Sequence, residues 1–174
     1  QKNTVRYDKT GEQHYDIISA FIKSIRGSDP NAAVYWLARM IEGGEDVKFI
    51  ARRMLILASE DIGNANPTAL ILANNTFQAV SVIGHPESRI ILSQCAIYLA
   101  NSAKSNASYM AIGEAQNLVR KTGDLSIPLH LRNAPTKLMK DLDYGKDYMY
   151  SHNYSGNFIE QEFLPDEIAN TKLY

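Results

Sequence analysis

The chain has a single cysteine, and that scarcity already limits its chemistry. One thiol cannot form an internal disulfide, and Cys95 is spaced from Leu92, Ala96 and Leu99 like a packing residue of a helix. We therefore interpret Cys95 as a packing residue and expect a cytoplasmic protein. The sequence shows no signal peptide and no apolar run long enough to cross a bilayer, so we expect no membrane contact.

Catalytic motifs are also missing from the sequence. His14, His85, His130 and His152 lie far apart, without the spacing of a metal site, and none is placed to pair with Cys95. Neither a G-x-x-x-x-G-K-[ST] phosphate loop nor a G-x-S-x-G nucleophile turn occurs. We therefore predict no catalytic, metal or cofactor site in this chain, and no enzymatic activity of its own.

An excess of positive charge is absent too, because the formal net charge is -1 at pH 7. This balance gives no general attraction to DNA or to an anionic membrane, although a local basic face remains possible. The candidates for contact with DNA or a protein partner form a basic strip on the polar sides of the first three predicted helices. It consists of Lys23, Arg26, Arg39, Lys48, Arg52 and Arg53.

No charged residue occurs between Ile62 and Pro86. We predict a buried helix here, with Asn66 as its N-cap, Pro67 as its first residue and Gly84 after its end. Its apolar residues leave no clearly polar face, so we expect neighbours on nearly every side.

Three helices are predicted before this uncharged stretch. The first starts at a capping box formed by Thr10 and Gln13 and runs to about Arg26. The second takes residues 29–30 as its cap and first turn and stops at the glycines 43–44. The third follows at once and has the cleanest helical periodicity of the chain.

Two acidic residues lie at the end of the third helix, where the helix dipole disfavours negative charge. Glu60 and Asp61 lie at its C-terminal end, which disfavours each carboxylate by a few tenths to about 1 kcal/mol. Arg52, Arg53 or the N-terminus of the helix opening at Asn66 could compensate within the chain. Alternatively, the acids meet a partner surface.

Two more helices are expected after Pro86. The first starts at residues 86–87 and the second is capped by Ser105 or Asn106 and stops at Gly123. The apolar stripe of the first consists of Leu92, Cys95, Ala96, Leu99 and Ala103, and that of the second of Ile112, Ala115 and Val119. No stretch alternates as a strand would, so the predicted fold class is all-α.

The last fifty residues are broken up by proline and glycine, and they allow only a short helix from Thr136 to Leu142. This tail nevertheless holds seven of the sixteen aromatic residues, so it can bury enough area to stay ordered. We expect it to wrap the helices or to dock on a neighbouring subunit, with base stacking as a third option. The seven are Tyr144, Tyr148, Tyr150, Tyr154, Phe158, Phe163 and Tyr174.

Several long strings closely resemble one protein family, the RarA/MgsA family of AAA+ ATPases, which are relatives of the Werner helicase-interacting ATPase. They are KSIRGSDPNAAVYWLARMIEGGED at Lys23 to Asp46, FIARRM at Phe49 to Met54, ASEDIG at Ala58 to Gly63, IPLHLRNAPTKLMK at Ile127 to Lys140 and EFLPDE at Glu162 to Glu167. The resemblance extends from about Tyr7 to Tyr174.

The resemblance implies a portion C-terminal to an ATPase module. Residues 1–11 would end the AAA+ lid or form a linker, 12–63 would be helices like those of a clamp-loader collar, and 64–174 would be the family's own C-terminal helical domain with an extended tail. It further implies a tetramer, and a full-length protein that uses ATP and magnesium in a DNA-dependent way at stalled replication forks. The family's Walker, sensor and arginine-finger residues have no counterpart here. The abrupt polar beginning is also what an excised piece of a longer protein would show.

Three functions follow as hypotheses. The favoured one is an oligomerisation and scaffold region, in which symmetric assembly covers apolar surface. The alternative is a module that docks DNA or a replication protein through the basic strip. A free-standing enzyme is the weakest, because no constellation of catalytic residues is present.

Overall fold

The computed structural model describes residues 4–5 and 11–174, and within these residues every regular element is helical. The predicted all-α class is therefore confirmed for this part of the chain. The α-helices are α1 (Glu12–Arg26), α2 (Pro30–Glu42), α3 (Val47–Leu57), α4 (Thr68–Ile83), α5 (Ser88–Asn101), α6 (Ala107–Thr122) and α7 (Lys137–Asp141). The chain divides into a first unit that reaches Ile112 and includes Tyr174, and a second unit of residues 113–173.

Local sequence signals set the two ends of α2. The carboxylate of Asp29 accepts a hydrogen bond from the backbone N–H of Ala32 at 3.0 Å, and Pro30 is the first residue of α2, as predicted. Gly43 follows the last residue of α2. The expected capping box of α1 includes Thr10, which lies outside the described residues.

The third helix is shorter than the sequence predicted. α3 ends at Leu57, and the chain continues through a π-helical turn over Ala58–Ile62 and a 3-10 turn over Gly63–Ala65. Gly63 has a φ of +53°, and a Cβ added there would lie 3.3 Å from the carbonyl oxygen of Ser105. Both the left-handed φ and the close approach favour glycine at this junction.

The prediction that Asn66 caps α4 is wrong. The helix begins two residues later, at Thr68, and the amide group of Asn66 turns away from it. That group donates to the hydroxyl of Tyr98 at 2.9 Å and to the hydroxyl of Ser102 at 3.3 Å. Asn66 therefore ties the start of α4 to the end of α5, a role that local sequence cannot reveal.

Within the single chain, the expectation that α4 is covered nearly all round is also wrong. Its buried side chains lie on one side, whereas Ile71 is 61% exposed and Val82 is 83% exposed. Helical periodicity reports which residues share a face, but it does not report how many neighbours the helix has. The buried side of α4 consists of Ala69, Ala73, Thr76 and Val80.

The core lies among the first five helices. α1 packs on α2, α3 on α4, and α5 on both α2 and α4. Phe21, Leu37, Met54 and Leu99 are among its fully buried side chains, and the burial of Leu99 agrees with the predicted apolar stripe of its helix. Trp36 on α2 is only partly buried at the edge of this core.

Ser102 is the last residue of the chain whose side chain is buried. No side chain between residues 103 and 174 is buried, although α6 forms over nearly the predicted residues. The expected apolar stripe of α6 therefore faces solvent in the single chain, as does Ala103, which follows the end of α5. The tail rings are partly or fully exposed, and Phe158 is 69% exposed.

Polar contacts join the segments of the second unit. The guanidinium of Arg132 donates to the carbonyl of Ile127 at 3.0 Å and to the hydroxyl of Tyr144 at 3.0 Å. The side-chain amide of Gln161 donates to the carbonyl of Met149 at 2.7 Å and accepts from its N–H at 3.3 Å. These hydrogen bonds join segments of the second unit, in which apolar side chains such as Leu118 and Leu164 are partly buried.

Candidate interaction surfaces

The basic strip spreads over three helices. Lys23 and Arg26 lie on α1 and Arg39 lies on α2, while the other three members lie on α3. All six are at least partly exposed. Among the described residues, no hydrogen bond, ion pair or ring contact links one of these six side chains to another. A common binding surface therefore stays a prediction.

Two members of the strip lie against aromatic rings of their own chain. The guanidinium carbon of Arg39 lies 5.5 Å from the ring centre of Trp36, its neighbour on α2. That of Arg52 lies 5.8 Å from the ring centre of Phe77 on α4. These cation–π contacts orient both arginines over apolar surface and leave them accessible.

A third member, Arg26, forms an ion pair that sequence reasoning did not anticipate. Its Nε lies 3.1 Å from Oδ1 of Asp61, and the Asp61 side chain is only 12% exposed. The compensating cation is therefore Arg26, not the expected Arg52 or Arg53. The two residues are far apart in sequence and meet only because the end of α1 lies beside the π-helical turn.

Lys104 approaches the same acid. Its ammonium donates to the hydroxyl of Ser28 at 3.0 Å and to the carbonyls of Ala100 and Ser102 at 3.0 and 2.6 Å. Burial lowers the pKa of Lys104, and the negative charge of Asp61 partly opposes that shift. Sequence reasoning missed Lys104 because it follows a helix end with no motif around it.

Asp61 is held through its backbone as well. Its carbonyl accepts from the N–H of Ser105 at 2.8 Å. Its Oδ2 atom is buried and has no hydrogen-bond partner among the described residues. Asp61 thus joins α1, the π-helical turn and the segment before α6, so it acts inside the first unit. Glu60 is partly exposed, and its suggested role at an interface stays a prediction.

A groove of about 540 Å³ runs between α2 and α5. Leu37 and Ile41 form its floor on one side and Ile90 and Ile97 on the other, so its lining is mostly apolar. Glu42 and Arg89 also line this groove.

A second apolar groove, of about 390 Å³, lies within the second unit between the end of α6 and the last residues of the tail. Leu118, Val119, Leu164, Ile168 and Leu173 line it. Apolar side chains form the larger part of the lining of both grooves, which suits a protein surface better than a small polar ligand.

The titratable side chains do not form a catalytic constellation in the part of the chain that is described. Nδ1 of His14 lies 2.7 Å from Oε2 of Glu45, a buried contact between α1 and the start of α3. Cys95 is buried, and burial raises the pKa of its thiol to about 11 while a hydrogen bond with the Thr76 side chain opposes the shift. Among the described residues no three histidine, cysteine or acidic side chains group as metal ligands.

None of the helices described for residues 4–5 and 11–174 is both long enough and apolar enough to cross a bilayer.

Two family models match the sequence. Residues 27–174 match the model described as the C-terminal region of MgsA AAA+ ATPases, and residues 1–26 match the model of a AAA C-terminal domain. The boundary between the two matches lies directly after Arg26, the residue that pairs with Asp61.

Named relatives cover nearly the whole chain. Replication-associated recombination protein A of Coxiella burnetii is 49% identical over 170 residues, which make up 97% of this chain and 39% of that protein. The Bacillus subtilis protein of the same name is 47% identical over 100% of this chain and 41% of its own length. ATPase WRNIP1 of Dictyostelium discoideum is 46% identical over 100% of this chain and 20% of its own length. The chain thus spans about two fifths of the bacterial relatives.

Proposed function

The chain belongs to the family of MgsA AAA+ ATPase C-terminal regions, and from that premise we propose that it is an oligomerisation and scaffold region. The full-length protein would act in DNA replication and recombination, as the names of the relatives suggest. It would be a DNA-dependent ATPase that binds ATP and magnesium outside these residues. This chain would contribute no catalytic group.

One observation carries the proposal: no side chain of residues 103–174 is fully buried in the single chain. Fixing the backbone of a residue costs roughly 1–2 kcal/mol in conformational entropy, and burial of apolar surface is the main term that offsets it. Association between copies would supply that burial for exposed side chains such as Phe158 and Phe163. Obligate interfaces are enriched in such aromatic residues.

The first unit supplies the rigid part of the scaffold. The helices within residues 12–63, α1 to α3, would play the part of a clamp-loader-like collar, with the second unit extending the contact to neighbouring subunits. In a closed ring or a dimer of dimers, the same apolar surface would be covered in every copy. A tetramer is the assembly that the family resemblance suggests.

Sedimentation of the purified chain tests the proposal. We expect an oligomer at tens of micromolar, and dissociation on dilution that exposes the tail rings to solvent. Phe158→Asp should weaken the association because it places a carboxylate among apolar contacts. A chain that stays monomeric across this concentration range would refute the scaffold role.

Tyr15→Asp is the matched control for that experiment. Tyr15 is 64% exposed on α1 and, like Phe158, is an accessible aromatic residue. It lies outside the region that has no fully buried side chain, so its replacement should leave sedimentation unchanged. Equal weakening by both variants would indicate a nonspecific loss of solubility rather than a lost interface.

A second candidate function is docking of DNA or a replication protein by the basic strip. It is favoured by Lys48 and Arg52, which are exposed one helical turn apart on α3 and therefore share a face. A salt-dependent DNA titration of the Arg52→Glu and Arg53→Glu variants tests it. Loss of binding with a shallower salt dependence would support docking, and unchanged binding would remove the strip from consideration.

A further inference from the structure

The outward side of α4 carries four residues that share one face. Ile71, Asn75, Gln78 and Val82 are separated by steps of four, three and four, so they line up along the helix. All four are exposed, and they lie opposite the buried side of α4. We call these four residues the α4 face.

The order of side chains on this face is symmetric. An aliphatic residue stands at each end, and two amides stand between them. Ile71 and Val82 are equally far from a midpoint between Thr76 and Phe77, and so are Asn75 and Gln78. A two-fold interface requires this kind of self-complementarity, because residue i contacts residue j of the other copy and j contacts i.

We propose that α4 pairs with α4 of a second copy in antiparallel orientation, about a two-fold axis through that midpoint. Ile71 of each copy then packs on Val82 of the other. Asn75 of each copy hydrogen-bonds Gln78 of the other. The proposal rests on the proposed function and names the surface by which the copies meet.

The chemistry of the face favours a second copy over other occupants. No charged residue occurs from Ile62 to Pro86, so the face offers no attraction to phosphates or to a charged peptide. The two central amides would be left without partners in a purely apolar groove or in lipid. Paired with each other, they are satisfied, and they fix the register as buried polar residues do in coiled coils.

The size of the contact indicates how it is used. At 1.5 Å per residue the face is about 17 Å long. A contact of one helix on one helix is smaller than the roughly 800 Å² per partner of a standard interface. It therefore works together with a second contact, and two different two-fold contacts build a closed tetramer.

A charge-swap experiment tests the register. Ile71→Lys and Val82→Glu, made singly, each place two unpaired charges in the contact and should raise the dissociation constant by roughly tenfold or more. In the double variant the introduced ammonium of one copy faces the introduced carboxylate of the other, so association should recover to within about threefold of the unmodified chain. Positions 71 and 82 are too far apart within one helix to pair there. Circular dichroism verifies that each variant is folded, and Tyr15→Lys is the matched control.

Each result of sedimentation decides between the alternatives. Weakening by both single variants with recovery in the double variant supports the antiparallel contact. Single variants that behave like the Tyr15→Lys control overturn it while the proposed function stands, since the copies then meet elsewhere. Weakening without recovery also overturns it, because the face is then covered in another register. A chain that never associates refutes the proposed function itself.

Discussion

Helices α1 to α5 surround a core in which Phe21, Leu37 and Leu99 are fully buried, whereas residues 113–173 have no fully buried side chain and are joined in part by hydrogen bonds such as those of Arg132 and Gln161. Burial of a large apolar side chain contributes about 1.5–3 kcal/mol, while a typical hydrogen bond contributes a net 0.5–1.5 kcal/mol. The first region therefore gains most of its stability from packing within its own core. The second region gains more from anything that covers it.

The largest expected effect is a difference in stability between a core variant of the first region and a matching variant of the second. Phe21→Ala should lower the free energy of unfolding by about 3–5 kcal/mol, because it leaves a cavity in a closed core. Phe158→Ala should cost less than about 0.5 kcal/mol in the dilute chain, since its ring is 69% exposed. Urea unfolding of both variants measures this. Similar losses would mean that residues 113–173 have a core of their own.

The thiol of Cys95 gives the first region a pH response above neutrality. Burial raises the pKa of Cys95 to about 11 from its usual 9.0. The neutral thiol therefore adds stability that is fully present below pH 9 and is lost as pH rises through 11, because the unfolded chain releases the proton first. The loss should be about 2–3 kcal/mol.

The free energy of unfolding of the unmodified chain and of Cys95→Ala, measured between pH 8 and 11, tests this response. Lysines and tyrosines titrate in both proteins, so their contribution cancels in the difference between the two free energies. Cys95→Ala should be less stable at pH 8, because it leaves a small cavity. The difference should shrink as pH rises. A constant difference would show that the thiol does not ionise differently in the two states.

The Arg26–Asp61 pair predicts a smaller loss within the first region. Arg26→Ala should cost about 1–2 kcal/mol, because the largely buried Asp61 carboxylate loses its cation. The exposure of Arg26 to solvent keeps this below the cost of breaking a fully buried pair. When Asp61→Asn is added to the Arg26→Ala variant, most of the stability lost through Arg26→Ala should be recovered. A double-mutant cycle that shows no coupling would contradict the pairing.

The difference between the two regions also explains what the sequence could predict. Helix caps and stripes act over a few residues, so the end of α1 at Arg26, the bounds of α2 and the burial of Leu92 and Leu99 were predicted correctly. Contacts between distant residues were not: the partners of Asp61 and Asn66 were assigned locally and wrongly.

Composition misled in a different way. The aromatic residues of the tail and the apolar residues of α4 predicted burial, but composition cannot say whether the covering surface belongs to the same chain. The candidate basic strip was chosen by charge alone. The structure places its members on three helices and engages Arg26, Arg39 and Arg52 with neighbours.

The smallest expected effect tests how the second region is organised. The Gln161 amide bridges both backbone groups of Met149, at 2.7 Å to the carbonyl and 3.3 Å to the N–H. Gln161→Ala should leave the global free energy of unfolding within about 0.5 kcal/mol of the unmodified chain, because no core depends on this contact. It should nevertheless speed hydrogen exchange at Met149, with Gln116→Ala, an exposed change on α6, as the control. A cooperative loss of global stability would instead show that the two regions unfold together, and that polar contacts in one support the core of the other.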